Sequence, residues 1–292
     1  MQAEPPKHKR RWLQFRLRTL MIFTLIVAIP CAWLGRKIER KRKEREAVAT
    51  IAKLAGNAGR AWYDFENGNS DAIPPGPDWA RSLLGENFFS EVVGVQFEGV
   101  RDADQADLGL ASIGEFSELQ TLTLHGTHVS DTSSACLSGL TQLRALNLDR
   151  TDLTDKGMDC VRGMTKLEEL ELWRTNITDV GLENLKGMTT LKELGLSGTN
   201  VGDAGMEYLK GLINLQTFRL LGTKVTDAGL MNFKRLTQLR DLELDGSNVG
   251  DAGLVNLEGL GQLRFLTLSK TNVTDAGLKE LQKALPNCKI SR

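Results

Sequence analysis

The chain has 292 residues, of which 41% are apolar and 25% are charged, so it is long enough for a folded core and is not disordered as a whole. Its net charge of zero hides an asymmetry: residues 1–46 carry 13 Lys/Arg against 4 Asp/Glu, and residues 47–292 carry 24 against 33. An acidic body argues against nucleic acid as a partner. Four cysteines without a C-x-x-C pair argue against a disulfide-stapled scaffold.

The first predicted element is a membrane anchor. Residues 19–35 contain no charged side chain, and a helix of that length reaches the lower limit for crossing a hydrocarbon core. Trp12 and Trp33 lie where an interfacial aromatic belt is expected. A cleavable signal peptide is the alternative, but no A-x-A-like site follows and a highly charged segment begins at once. We therefore predict an uncleaved, single-pass anchor.

The charges that flank this segment give its orientation. Six Lys/Arg precede it and seven follow it, but Glu39, Glu44 and Glu46 dilute the second cluster. The positive-inside rule then favours a cytoplasmic N-terminus and an extracytoplasmic C-terminal domain.

A juxtamembrane helix and a cap are predicted next. Residues 36–55 have the composition of a helix, and Pro77 is suited to the first turn of a short helix that carries Trp79. The segment FFSEVVGVQF is typical of a strand. We interpret Trp79, Phe88 and Phe89 as hydrophobic capping residues, because the first coil of a solenoid must be covered to remain soluble.

From Leu119 onward the sequence repeats itself every 24 residues, seven times and without a gap. The units begin at Leu119, Leu143, Leu167, Leu191, Leu215, Leu239 and Leu263. A degenerate unit with Val92, Val95 and Phe97 in the matching places precedes them, and a stub with Ile290 in register follows. This period predicts stacked coils with a continuous core.

Each unit is predicted to form a strand, a turn, a short helix and a second turn. Leucines occupy unit positions 1, 4 and 6, and positions 4 and 6 both point inward because side chains alternate across a strand. Position 9 is Thr in six units and Ser247 in one, and its hydroxyl can bond backbone groups of the turn and of the adjacent coil. Gly at position 21 in five of the seven units ends a helix of about seven residues.

Position 13 is aspartate in every unit: Asp131, Asp155, Asp179, Asp203, Asp227, Asp251 and Asp275. Because it stands directly before a helically spaced apolar run, we predict that it is the N-cap of its own helix. A column of cation ligands is the alternative. The calcium-binding β-helix motif has a short glycine-rich period that this sequence lacks. We predict no metal and no cofactor.

The pattern LxxLxLxxTxVTDxGLxxLxxL resembles the leucine-rich-repeat family, in a short variant with Thr where many members have Asn. The layout of basic head, apolar segment, cap and TDAGL repeats is similar to that of membrane-anchored bacterial leucine-rich-repeat proteins. Internalin repeats differ in period and in the Thr column. The resemblance implies an α/β, right-handed solenoid with parallel strands on the concave face and short helices on the convex face. It also implies protein–protein recognition as the usual role.

The predicted organisation has six parts. They are a basic tail (1–18), a transmembrane anchor (19–35), a juxtamembrane helix and N-terminal cap (36–91), a degenerate repeat (92–118), seven 24-residue repeats (119–286) and a C-terminal stub (287–292).

Side chains at positions 3, 5 and 7 project from the predicted sheet, and we call this surface the open sheet face. Of its 21 side chains, seven are acidic, and Arg219 is the only Lys or Arg. Glu169 and Glu193 are expected on adjacent strands, where like charges are destabilising unless function retains them. We predict that a protein partner, preferably a basic one, binds this face. The predicted contact residues are Asp149, Glu169, Glu171, Trp173, Glu193, Arg219, Leu221, Asp241, Glu243, Asp245 and Phe265.

An ordinary solvated face is the alternative, because basic residues flank the carboxylates and could neutralise them. They are Arg144, Lys192, Arg240 and Arg264 at position 2, and Arg150, Arg174 and Lys270 at position 8. For catalysis, His125 with Thr123 and Asp149 only imitates a triad, and the sequence has no phosphate loop or zinc spacing, so we predict that the protein is not an enzyme.

A structural protein of the cell envelope that acts by self-association is the second functional hypothesis. Pro286 and the charged stub indicate a terminal cap, which disfavours end-to-end stacking. Partner binding is therefore preferred, and the oligomeric state stays open.

Overall fold

The structure, a computed structural model, describes residues 8–64, 66 and 72–292, without the side chains of residues 8–20 and 22–27. Ten strands form one sheet in chain order. They are β1 (Gly59–Tyr63), β2 (Val92–Phe97), β3 (Thr121–Thr123), β4 (Ala145–Asn147), β5 (Glu169–Glu171), β6 (Glu193–Gly195), β7 (Thr217–Arg219), β8 (Asp241–Glu243), β9 (Phe265–Thr267) and β10 (Lys289–Ser291). The helices are α1 (His8–Ala55), α2 (Asp78–Leu84), α3 (Ala103–Ile113), α4 (Asp203–Leu209), α5 (Asp227–Leu230), α6 (Asp251–Leu254) and α7 (Asp275–Ala284).

Helix α1 contains the predicted juxtamembrane helix and ends at Ala55, as expected. The anchor predicted over residues 19–35 is not confirmed. The side chains at 19, 20 and 22–27 lie outside the described residues, as do those of the basic tail. Among the residues that the structure does describe, no helix is both long enough and apolar enough to cross a membrane.

The repeats form a parallel sheet with the predicted alternation. Residues at positions 4 and 6 of the units, such as Leu170 and Leu172, are fully buried in the core. The register aligns the same position in successive units, so Glu169 lies opposite Glu193 as expected. Ile290 pairs in register with Leu266, and the C-terminal stub therefore adds one more strand to the sheet.

The N-terminal cap is built differently from the prediction. Strand β1 was not predicted; it runs antiparallel to β2, and Trp62 lies so close to Gly94 that a β-carbon there would be 1.8 Å from its ring. Ala47 and Ile51 of α1 join the core at the same end. Because these groups already cover the first coil, the capping role predicted for Trp79 is wrong: its side chain is 71% exposed.

The helical segments of the repeats vary in length around the predicted seven residues. Helix α4 has seven residues, α6 has four and α7 has ten. Three units instead have five-residue 3-10 helices, at Ser133–Leu137, Gly157–Val161 and Gly181–Leu185, and α5 continues as the 3-10 helix Met231–Arg235. A 24-residue coil leaves few residues after its strand and turns, and a 3-10 helix spans more distance per residue than an α-helix.

The aspartate column does not cap its own helices, so the N-cap prediction is wrong. Asp203 is the first residue of α4, and its carboxylate reaches the next coil, where it accepts hydrogen bonds from the Thr226 amide (2.8 Å), the Thr226 hydroxyl (2.7 Å) and the Gly229 amide (3.0 Å). Asp131 and Asp155 each accept the same three hydrogen bonds from the threonine and the glycine at the equivalent positions of the following coil. The side-chain cap of α5 is Thr226, one residue before the aspartate.

This inter-coil carboxylate explains the glycine that follows six of the seven aspartates by two residues. A β-carbon on Gly229 would lie 2.5 Å from an oxygen of Asp203, and one on Gly181 would lie 2.6 Å from Asp155. The first regular unit has Ser133 in this place. Glycine is therefore required because a carboxylate approaches the backbone closely there, and not because of an unusual torsion angle.

The threonine column behaves as predicted. In five units its hydroxyl donates to the carbonyl three residues earlier, as in Thr175 to Leu172 (2.8 Å), and in the first it donates to Phe97 of the preceding coil (2.8 Å). Ser247 is the exception, since its buried hydroxyl has no partner among the described residues. These bonds satisfy polar groups that the stacking of coils removes from water.

Candidate functional site

The centre of the open sheet face is an ion-pair cluster around Arg219. Its guanidinium contacts a carboxylate oxygen of Glu171 and lies 3.3 Å from Glu193 and 3.8 Å from Glu243. One cation is thus shared among three carboxylates on three different strands. The cluster keeps a net negative charge.

Two carboxylates on this face have raised pKa values. Burial raises the pKa of Glu171 to about 7, against the opposing effect of Arg219. Burial, followed by repulsion from Glu193 and Glu168, also raises the pKa of Glu169. Desolvation without full neutralisation is the physical cause at both positions, and such perturbed carboxylates are more frequent at functional sites than elsewhere.

Two of the predicted contact residues serve the backbone instead. Asp149 accepts a hydrogen bond from the amide of Trp173 (2.7 Å), and Asp245 accepts one from the amide of Ser269 (2.6 Å). Ser197 takes the same place in another unit and accepts from the Leu221 amide (3.1 Å). Position 7 therefore joins neighbouring coils, so the carboxylates of Asp149 and Asp245 are already satisfied within the fold.

The prediction assumed that Trp173 offers a free aromatic ring, but other side chains of the protein cover this ring. It is half-buried, and the guanidinium groups of Arg150 and Arg174 lie 5.1 and 4.8 Å from its ring centre. Both arginines have left-handed backbone torsion angles, with φ of 55° and 53°. Cation–π contacts with the protein's own side chains therefore occupy this indole, which a basic partner would otherwise contact.

The flanking basic residues do not neutralise the face in the way that the alternative required. Arg144 and Lys192 both pair with Glu168, at 2.5 Å each, and Glu168 is at position 2, outside the open sheet face. Arg150 and Arg174 pack on Trp173. Compensation within the face comes from Arg219.

The available part of the face is smaller than predicted. Within the described residues, Glu169 and Asp241 have no ion pair. Phe265 is 52% exposed beside Asp241 on the next strand, and Leu221 is 44% exposed. These four residues and the Arg219 cluster present free carboxylates, apolar area and one shared cation.

Comparisons with known proteins agree with this architecture. The model of a family described as leucine-rich repeat matches residues 139–161, 163–186 and 187–210. A leucine-rich-repeat protein of Leptospira interrogans is 19% identical, with a TM-score of 0.48, over 65% of this chain and 57% of its own length. Internalin C2 of Listeria monocytogenes is 20% identical, with a TM-score of 0.52, over 75% of this chain and 92% of its own.

The likeness to internalin C2 shows the fold, an α/β solenoid of leucine-rich repeats. The chain spans little more than half the length of the Leptospira protein. The comparison with curated proteins finds no match.

Proposed function

The chain belongs to the leucine-rich-repeat family, and from that premise we propose that its open sheet face binds a protein partner without catalysing a reaction. Leucine-rich-repeat proteins generally act in protein–protein recognition and are typically non-catalytic. The observation that carries the proposal is the excess of carboxylates on this face. Glu171, Glu193 and Glu243 share one arginine, and repulsion adds to burial in raising the pKa of Glu169.

The chemistry of the face favours a basic partner. A lysine or arginine side chain that approaches Glu169 on β5, or one that approaches Asp241 on β8, meets a carboxylate that lacks an ion pair within the described residues. At Glu169 such a contact offsets the repulsion from Glu193 on the adjacent strand. Leu221 and Phe265 add exposed apolar area, which supplies affinity that charge alone does not.

Site-specific photo-cross-linking in the cells that make the protein tests this assignment. A photoreactive amino acid is placed at residue 169 or 241 on the open sheet face, and at residue 183 or 255 on the helical side as a control. We expect adducts of defined mass from the first pair and none from the second. Adducts from the helical positions alone would overturn the proposal, and an adduct with a second copy of this chain would support the scaffold hypothesis instead.

A matched pair of neutralising variants tests the basic character of the partner. In this experiment the photoreactive amino acid is placed at residue 243. Glu169→Gln with Asp241→Asn should lower the yield of the adduct. Glu183→Gln with Glu258→Gln removes two exposed carboxylates elsewhere and should leave the yield unchanged. Equal adduct yields from the two variants would show that charge on this face does not select the partner.

We also propose that α1 tethers the repeats to a membrane and that the repeats are extracytoplasmic. The uncharged residues 19–35 between two basic clusters support the tether. The full chain should stay in the membrane fraction after alkaline carbonate extraction, and Leu25→Arg with Ile26→Arg should release it. An impermeant maleimide on intact cells should label the exposed Cys136 in a Cys31→Ser background; labelling only after lysis would reverse the orientation.

A further inference from the structure

Helix α2 presents apolar side chains to the solvent. Trp79 and Leu83, four residues apart and therefore on one face, are 71% and 75% exposed, whereas Ala80 is buried. In the preceding loop Ile73 is 79% exposed. A surface helix normally directs its apolar stripe toward the core, and clustered exposed apolar groups mark interaction sites. The outer face of α2 is therefore unexplained by the fold.

This apolar patch is continuous with α1. The Phe89 ring lies against Gly76, at the turn that leads into α2. The Lys37 ammonium then lies 5.9 Å from the Phe89 ring centre and 5.5 Å from that of Trp33 on α1. Trp33 is itself an exposed aromatic residue. A chain of contacts thus joins the outer face of α2 to the part of α1 where the uncharged segment ends.

Basic groups border the patch on the α1 side. Trp33, Arg36, Lys37 and Arg40 line a hollow of about 210 Å³. Arg36 has no ion pair within the described residues, whereas Arg40 pairs with Glu91. On the α2 side Arg81 contacts both Asp78 and Glu86, so these three groups keep one negative charge. The patch therefore combines exposed aromatic and aliphatic groups with a positive rim on its α1 side.

We propose that Ile73, Trp79, Leu83, Trp33 and Arg36, which we name the interfacial face, dock on the surface of an anionic lipid bilayer. Tryptophan beside a basic cluster is the composition that partitions into the head-group region, and the basic rim is complementary to lipid phosphates. A bilayer is favoured over a protein partner because the patch adjoins the end of the segment that would enter the membrane. This inference rests on the membrane tether proposed above.

The test uses the full chain reconstituted into vesicles of phosphatidylcholine with or without phosphatidylglycerol. Cys31→Ser and Cys136→Ser remove the exposed thiols, and Leu83→Cys or, as a control of similar side-chain exposure, Val255→Cys carries an environment-sensitive fluorophore. Lipids with brominated acyl chains should quench the label at residue 83 severalfold more than the label at residue 255. Trp79→Ser should reduce that quenching, and so should omission of phosphatidylglycerol.

The outcomes separate docking from the tether. Vesicles that carry the protein but leave the label at residue 83 unquenched would overturn the docking proposal and leave the tether standing. Quenching that persists when Leu25→Arg and Ile26→Arg are introduced would show that the interfacial face docks without the tether, whose own failure is recognised by carbonate extraction of the unmodified chain. The emission of the label at residue 83 could also shift to the blue in the absence of vesicles, to an extent that depends on protein concentration. This result would show that the face contacts a second copy of the chain and would overturn lipid docking.

Discussion

Among single residues, the position-13 aspartates that bond the next coil contribute to stability. Replacing Asp203 by Ala removes three hydrogen bonds to the next coil, two of them from backbone amides. We expect Asp203→Ala to lower the free energy of unfolding by about 2–3 kcal/mol, because charge-assisted bonds are lost and their donors are left unpaired. Urea denaturation followed by circular dichroism measures the change.

Asp275 provides the matched control, because its carboxylate accepts no backbone hydrogen bond from another coil among the described residues. Its carboxylate contacts only the exposed Arg292 among the described residues. Asp275→Ala should therefore change the free energy of unfolding by at most about 0.5 kcal/mol. Equal losses in the two variants would show that the inter-coil bonds do not contribute to stability.

A second residue-level prediction concerns the turn after each strand. Position 8 has a positive φ in all seven units, and four of them have glycine there. Lys270 has φ of 57° and no ion pair among the described residues. Lys270→Gly should stabilise the protein by about 0.5–1 kcal/mol by relieving strain. Gly246→Lys, where the nearest atoms leave room for a β-carbon, should cost a similar amount in the same denaturation assay.

The residue columns could be predicted from the sequence, but only some of their contacts could. Thr at position 9 bonds its own turn, so a local rule was enough. The carboxylate of Asp203 instead reaches Thr226 and Gly229 in the next coil. A helix N-cap and an inter-coil bond both place an acidic residue before an apolar run, so composition alone does not distinguish them. The glycine two residues later was the available signal.

Among the elements, α1 depends most on a buried charge network. Lys41 is 4% exposed and donates to the Ser90 carbonyl, to Glu44 (2.6 Å) and to Glu91 (2.7 Å). These bonds hold α1 against the loop before β2. Burial raises the pKa of Glu44, and the hydrogen bond from Lys41 partly offsets this increase.

Loss of Lys41 should detach α1 from the repeats. Lys41→Ala leaves the buried Glu44 without its close cation, so we expect a cost of about 3 kcal/mol and faster amide hydrogen exchange along residues 41–55. Lys43→Ala removes an exposed lysine two residues away, 3.4 Å from Glu115, and should have little effect. Unchanged exchange in the Lys41 variant would exclude a role for the network in holding the helix.

The elements of the repeats follow from the period, whereas those of the cap do not. A 24-residue repeat dictates one strand per coil, and the register of β5 with β6 follows from it. Strand β1 pairs with β2 across more than thirty residues, and Lys41 meets Glu91 across fifty. No periodicity links such segments, so their pairing depends on tertiary packing that the sequence pattern does not encode.

For the whole molecule, the open sheet face makes stability depend on pH. The pKa of Glu171 is raised from 4.5 to about 7 in the folded protein, so its protonated form favours folding. This contribution is fully present below the unfolded pKa and is lost as the pH rises through about 7. The urea concentration at the midpoint of unfolding should therefore decrease as the pH is raised from about 5 to about 8.

Glu171→Gln should remove much of that fall, whereas Glu183→Gln on the helical side should leave it unchanged. Ionisation of Glu171 also adds negative charge, so a basic partner should bind more tightly at the higher pH. An identical pH dependence in the two variants would contradict the assignment to Glu171.

The predicted site proved to be partly structural. The sequence placed eleven residues on one face, and the register confirms the neighbours Glu169 and Glu193. It did not show that Asp149 and Asp245 bond backbone amides, or that two arginines cover Trp173. The bonds of Asp149 and Asp245 and the Arg150 contact join neighbouring units, and the Arg174 contact joins adjacent residues; in both cases a side chain's nearest partner is decided by rotamer and not by spacing.

The aspartate column also has a mechanical consequence. Sheet hydrogen bonds join the coils on one side, and the carboxylates of Asp131, Asp155 and Asp203 join them again before the helices. Coils that are joined by a single row of bonds can rotate apart about that row. A second row of bonds, away from the sheet, opposes this rotation and makes the solenoid stiffer. A partner that docks across several strands therefore meets a surface already set in its bound shape, and little ordering entropy is lost on binding.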